Sequence, residues 1–253
     1  MTRAAYREAI QWASTTGVEV ALECDVHFSA DDQLICLHDL TVDRTAMVQG
    51  RAIDLTVEQL KRLDFGSRRV NGSTAGRGEL ITLAELMTMV HDARTAGAPV
   101  TLTVETKHPN PRGADVERRV AEMLQERGWD QPDSPVQVIS FSPEAIERLT
   151  TLLPCVQRSF LIETDLEHWR GGDLPAGVTV VGPDLNLIKA DPEFVAWAAM
   201  RGYEVHVWTV NDPADIAFCR DLGVTGFTTD FPDRVAAALA AHSGAFFSEP
   251  PIA

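Results

Sequence analysis

Glu23 and Asp25 stand two residues apart at the end of the apolar run Val18-Glu19-Val20-Ala21-Leu22, and His38 and Asp39 stand at the end of a second run, Leu34-Ile35-Cys36-Leu37. Residues i and i+2 of a strand share a face, so both carboxylates look one way. The turn residues Asp31-Asp32 between the runs predict a hairpin that returns His38 to about the level of the acids. A third acid, Glu105, ends the strand-like run Thr101-Leu102-Thr103-Val104, with Lys107 two residues on. Three clustered carboxylates repel one another unless a cation lies among them, and an all-oxygen set selects Ca²⁺ or Mg²⁺ over zinc. Lys107 could then hold a phosphate oxygen. Each reading has a plainer rival: solvated strand ends for Glu23 and Asp25, a structural hydrogen bond to Asp39 for His38, and a rim ion pair for Glu105 with Lys107. Trp208, at another strand end, serves equally as core or as a substrate-lining aromatic. His27 and His108 read as rim residues without a chemical step.

The elements that position these residues follow from periodicity and capping. Residues 5–13 have amphipathic helical spacing and run into Gly17 before the Glu23 strand. Residues 40–80 carry little periodicity apart from a short helix at 56–63, whose Thr56 and Gln59 spell a capping box, and read as an insertion at the rim. The Gly- and Ser-rich run 66–78 is the most flexible-looking stretch. Beyond it helices and strands alternate: helix from Thr82, strand 100–105, helix 114–127, strand 136–140 and a helix opened by Ser142-Pro143. Strands at 156–162 and 178–181 follow, then a helix from Asp191, strand 204–208, a helix from Asp212, strand 223–228 and helix 232–241. Such alternation predicts a parallel sheet with covered faces. It supplies seven barrel-type strands; a closed (β/α)8 barrel has eight, which places the expected first strand upstream of Met1.

Length and composition agree. The 253 residues suit one α/β barrel domain, with residues 243–253 as a tail, and 45% apolar with 23% charged residues is the balance of a globular protein. A formal charge of −15 argues against nucleic acid or an anionic membrane as partner. No apolar run has the length of a membrane span, and no leader is recognisable, so a cytoplasmic location is expected. The four cysteines lack zinc or disulfide spacing, and three lie in apolar runs that read as core.

Taken in order, Glu23-Cys24-Asp25-Val26 with its turn and returning His38-Asp39, then Asp43-Arg44-Thr45, Glu105-Thr106-Lys107, Ser140-Phe141, Val207-Trp208-Thr209-Val210-Asn211 and Gly223-Val224 with Thr229-Asp230 resemble the glycerophosphodiester phosphodiesterase family. The match in order and spacing runs from Ala5 to about Ala238. The resemblance implies a TIM barrel of the phospholipase-C-like phosphodiesterase type. It also implies metal-dependent hydrolysis of a small glycerophosphodiester to glycerol 3-phosphate and an alcohol. It makes Glu23, Asp25 and Glu105 ligands of Ca²⁺ or Mg²⁺, His38 a catalytic acid or base, and Lys107 a phosphate contact.

The chain departs from the family pattern in two places. The family opens on a strand ending in His-Arg-Gly, and no histidine here stands in that context. Asp32 occupies a turn position where the family prefers glycine. Two readings follow. In one the chain is a phosphodiesterase whose start lies upstream. In the other it binds a phosphodiester or a partner without catalysis and covers its open sheet edge by forming a homodimer or with the apolar tail at 245–247.

Overall fold

The run Val20–Phe28 forms β1, nine residues long, in a computed structural model that describes residues 1–66 and 78–245, with side chains to residue 241. Most of the run expected to be flexible, at 67–77, and the tail at 246–253 lie outside the described residues. The chain divides into two units, Met1–Arg158 and Ser159–Ala253.

In the first unit β2 (Leu34–Cys36) returns antiparallel to β1 with Val26 opposite Cys36, the hairpin expected from the turn residues. Asp32 at its tip has φ of 59°, the left-handed backbone that glycine would supply and that aspartate tolerates. On the other side of β1, β3 (Val100–Thr106) pairs parallel with Asp25 opposite Glu105, and β4 (Val136–Ser140) follows β3. The strand order is β2-β1-β3-β4. The helices are α1 (Arg3–Thr16), α2 (Asp43–Ala46), α3 (Val57–Lys61), α4 (Leu83–Thr95), α5 (Asp115–Glu126) and α6 (Pro143–Leu152). Thr56 and Thr82 close capping boxes with Gln59 and Glu85, while Ser142 caps a helix that opens on Pro143. The outward-facing side of β1 places Leu22, Cys24 and Val26 in one core with Leu86, Val90, Val104, Val120 and Leu124 from the helices and β3. Tyr6 of α1 donates its hydroxyl to the backbone carbonyl of Glu23, which ties the first helix to β1 at the first of its acids.

Glu117 on α5 is fully buried and accepts from His108 Nε2 at 2.5 Å and from Arg148 Nε at 3.0 Å. His108, a rim residue by its place after β3, is therefore turned inward to a carboxylate on α5. Replacing Glu117 by alanine strands both donors, and the expected loss is about 2–3 kcal/mol. It falls at the lower side of buried-pair losses because Arg148 is 36% exposed and can reach water. The urea midpoint of unfolding measures it, and an unchanged midpoint would contradict it.

In the second unit β5 (Gln157–Ile162), β6 (Val180–Pro183), β7 (Glu204–Val207) and β8 (Gly226–Phe227) pair parallel in chain order. Its helices are α7 (Leu166–Gly171), α8 (Leu185–Ala190), α9 (Glu193–Met200), α10 (Pro213–Leu222) and α11 (Pro232–Ala245). Val180, Val181, Ile188, Phe194, Val205, Val207 and Ile216 are its buried core. Gly226 is required by a close approach, since a Cβ there would lie 2.4 Å from the His206 ring. Helices α7 and α8, six residues each, have too few turns to show a periodicity in the sequence.

The fold is α/β of the TIM-barrel type, as the alternation predicts, and the described residues hold seven strands of the alternating kind beside the return arm β2. Cys24, Cys36 and Cys219 are buried free thiols and Cys155 is exposed. No described helix is long and apolar enough to cross a membrane.

Candidate active site

The register of β1 on β3 decides what the three acids can do. Asp25 and Glu105 are direct neighbours across the parallel pair, Glu23 lies one repeat back on the same face of β1, and ligand oxygens of all three lie within 4.8 Å of one another. Asp25 and Glu105 are buried, 4% and 5% exposed, and Glu23 is partly so. Burial first, and then the negative charge of Asp25, push the Glu23 and Glu105 carboxyls up to about 8, although Lys107 works in the other direction.

The Lys107 ammonium sits between the acids, 2.9 Å from Asp25 Oδ1 and 2.8 Å from Glu105 Oε1. Burial opposes its charge, but Glu105 and Asp25 outweigh that and raise its pKa above the usual lysine value. Glu105 Oε1 is buried, and the Lys107 ammonium is the cation that lies against it. A cluster of three carboxylates that already draws one cation among its oxygens fits a divalent cation. Ca²⁺ binds oxygens at about 2.3–2.6 Å and Mg²⁺ at about 2.0–2.1 Å, and either could be held by this set after small side-chain movements.

His38 follows β2, where the Leu37 amide donates to the Asp25 carbonyl at 3.0 Å and so sets residue 38 between the levels of Glu23 and Asp25. Its Nδ1 is 2.7 Å from Asp39 Oδ1, and Arg44 of α2 grips Asp39 with Nε at 2.6 Å and Nη2 at 3.0 Å. Arg44 is the main reason the Asp39 carboxyl is held down at about 2, so it stays ionised and keeps the Nδ1 proton in place. Nε2 is then the ring atom free to take or give a proton at the 59% exposed side chain. Arg44 also feels the negative charge of Asp25, which ties this clamp electrostatically to the acid cluster.

The structure thus brings Glu23, Asp25, Glu105 and Lys107 together and places His38 at their level. Trp208 lies in the second unit, where its indole N–H donates to the Gly182 carbonyl at 2.7 Å. Two contributors were not assigned a part from sequence. Arg44 lies five residues beyond Asp39, and its place on the short helix α2 could have suggested the clamp. His27 repeats the spacing of Glu23 and Asp25 along β1, and its Nε2 lies 3.2 Å from the His38 carbonyl.

Fold and site together define a class: an α/β protein of the TIM-barrel type with a carboxylate cluster, fit for a divalent cation, at the carboxyl ends of neighbouring parallel strands. Residues 7–234 match the glycerophosphoryl diester phosphodiesterase family. A probable glycerophosphodiester phosphodiesterase 1 of Mycobacterium tuberculosis is 35% identical over 86% of this chain and 81% of its own. A glycerophosphodiester phosphodiesterase of Bacillus subtilis is 27% identical over 84% and 74%. Among solved structures, a glycerophosphodiester phosphodiesterase from Parabacteroides distasonis superposes with a TM-score of 0.74 at 23% identity, covering 96% of this chain and 92% of that one. An Oleispira antarctica phosphodiesterase solved with the product sn-glycerol-3-phosphate gives 0.76 at 21% identity, covering 92% and 90%. The chain belongs to the glycerophosphoryl diester phosphodiesterase family. It is an enzyme of that kind, a phosphoric diester hydrolase acting on glycerophosphodiesters to release glycerol 3-phosphate and an alcohol.

Proposed function

We propose that Glu23, Asp25 and Glu105 hold the divalent cation of this hydrolase, that Lys107 binds a phosphate oxygen and that His38 carries the proton. The observation that carries this reading is the set of three carboxylates within 4.8 Å, with an ammonium already drawn among them. We take the ion to be Ca²⁺, because Ca²⁺ accepts an irregular all-oxygen set, whereas Mg²⁺ demands near-ideal octahedral geometry. A divalent cation in this place supplies Lewis-acid stabilisation of charge on the phosphodiester.

The chain's own residues do the rest. Lys107, released from the carboxylates when a stronger cation takes them, is left with a charge to offer to a phosphate oxygen. Asp39, clamped by Arg44, fixes the His38 ring and its tautomer. His38 Nε2 then accepts a proton from the attacking hydroxyl or donates one to the leaving alcohol. A substrate-lining part for Trp208 rests on its strand-end position alone.

The test is glycerol 3-phosphate release from glycerophosphocholine before and after chelation, together with Ca²⁺ binding by calorimetry. Glu105→Gln and Asp25→Asn remove ligand charge directly and are each expected to weaken Ca²⁺ binding by at least about 100-fold, more than the loss of an outer-shell partner. Release that survives chelation, or Ca²⁺ binding unchanged in both variants, would sink the reading.

A further inference from the structure

A cavity of about 230 Å³ lies beside the acid cluster in the first unit, with His27, Phe28, Leu40, Arg51, Ala52 and Ile53 in its wall. His27 belongs to both places. Its side chain follows Glu23 and Asp25 along one face of β1, and Phe28 ends the strand. The far wall is an arm in which residues 40–42 pair with 50–52, Ala52 N donating to the Leu40 carbonyl at 3.0 Å. Leu40 is 43% exposed and carries the apolar lining to the surface, where Met47 and Val48 of the same arm are 61% and 43% exposed.

We propose that this cavity receives the alcohol moiety of the phosphodiester and selects an apolar group without positive charge. The proposal rests on reading the carboxylate cluster as the place where the diester is cleaved. A group leaving from a phosphate held there, on the His27 side, enters the cavity. Three observations set its chemistry. The lining is largely aliphatic and aromatic, and among the described residues it contains no acidic one to pair with an ammonium. The Phe28 ring, the aromatic face an alkylammonium would use, already carries the Arg112 guanidinium 4.2 Å from its centroid. Arg51 adds a positive charge whose nearest acid, Asp54, is 3.9 Å away, and both side chains are more than half exposed. In the wall itself a choline or ethanolamine group therefore meets the Arg51 guanidinium, paired loosely with Asp54, and a Phe28 face already taken by Arg112, whose own charge is paired with Asp32 and Asp115, whereas an alkyl group meets a surface it can bury.

The test is kcat/KM for the methyl, propyl and butyl esters of glycerol 3-phosphate against glycerophosphocholine and glycerophosphoethanolamine. Each buried methylene is expected to raise kcat/KM about fourfold along the alkyl series, with both ammonium diesters below the butyl ester. Ala52→Leu, which fills the cavity, is expected to lower the butyl ester at least about tenfold more than the methyl ester. Arg51→Glu, on an exposed side chain that does not threaten folding, is expected to raise glycerophosphocholine relative to the butyl ester by about three- to tenfold at low salt, an effect that fades as salt is added. Calorimetric binding of butyl phosphate and phosphocholine in the presence of Ca²⁺ reads the same preference without turnover. A flat alkyl series, a preference for choline in both assays, or an Ala52→Leu loss equal for both esters overturns the proposal while leaving the hydrolytic site standing. Tighter binding of butyl phosphate, lost in Ala52→Leu, with no diester hydrolysed would uphold the cavity and remove the hydrolytic reading. Binding of neither phosphate would remove both.

Discussion

Glycerol 3-phosphate release by the His38→Gln protein is expected to fall about 10²- to 10⁴-fold, the range that one general acid or base contributes, while its affinity for Ca²⁺ stays that of the unaltered protein. The two readouts separate proton transfer from cation binding, because no atom of His38 belongs to the carboxylate cluster. The clamp behind the ring gives a graded companion. Asp39→Asn keeps the shape but removes the charge that fixes the Nδ1 proton and that Arg44 grips with two hydrogen bonds. Its loss in kcat is expected to be about 10- to 100-fold, the range for outer-shell partners of a site, with KM little changed. Stopped assays of glycerol 3-phosphate under saturating substrate decide both. A His38→Gln protein that keeps its rate, or that loses Ca²⁺ binding in step with its rate, would show that the ring serves the structure of the hairpin and not the reaction.

The second large effect is on stability, and its sign follows from the raised carboxyls. Glu23 and Glu105 hold their protons in the fold up to about 8, mainly because they are buried, whereas in the unfolded chain such carboxyls lose them near the ordinary value of 4.5. A raised folded-state pKa contributes stability that is complete below the unfolded value and is lost as pH rises through the folded one. The cation-free protein is therefore expected to lose melting temperature steadily between about pH 4.5 and 8. Asp39 and Glu85, held down at about 2, act in a separate window, losing their contribution only as pH falls below the ordinary carboxylate range. Ca²⁺ restores what the raised pair loses. At a concentration about 100 times its dissociation constant it adds about 2.7 kcal/mol, or roughly 5–10 °C for a protein of this size. Since protons compete with the ion for the same oxygens, the gain should be largest near pH 8 and small near pH 5. Scanning calorimetry of chelated and Ca²⁺-loaded protein across that range measures it. Glu105→Gln should flatten both the pH slope and the Ca²⁺ gain; if it leaves them intact, the carboxylate cluster is not their origin.

Much of this could be read from local pattern. Alternating helical and strand periodicities, with caps at Thr56, Thr82, Ser142 and Asp212, mark most of the elements within a few residues. Elements without repeating pattern escaped: α7, α8 and the four-residue α2 are too short to show one, and β8 shrinks to Gly226–Phe227 within the stretch expected at 223–228. Among site residues, Glu23, Asp25, Glu105 and His38 were legible because each closes an apolar run in the sequence, where a spacing of two residues fixes the face, although β1 itself continues past the acids to Phe28 and His38 lies just beyond β2. Arg44 and His27 were not assigned, because an arginine five residues past an aspartate, or a further histidine on a strand that already carries two acids, has many uses.

What the sequence by itself determined is the order of the elements, the family, and which acids share one face of their strands, since these depend on backbone periodicity and short-range spacing. What only the tertiary structure decided are contacts between residues far apart in the chain. The β1–β3 register sets Asp25 opposite Glu105 and lets Lys107 lie between them. Glu117 of α5 turns His108 away from the rim, and Arg112 comes to lie on the ring of Phe28 beside the cavity. Such pairings arise when burial forces charged groups to find partners across the fold, and no repeat in the chain announces which partner each will find.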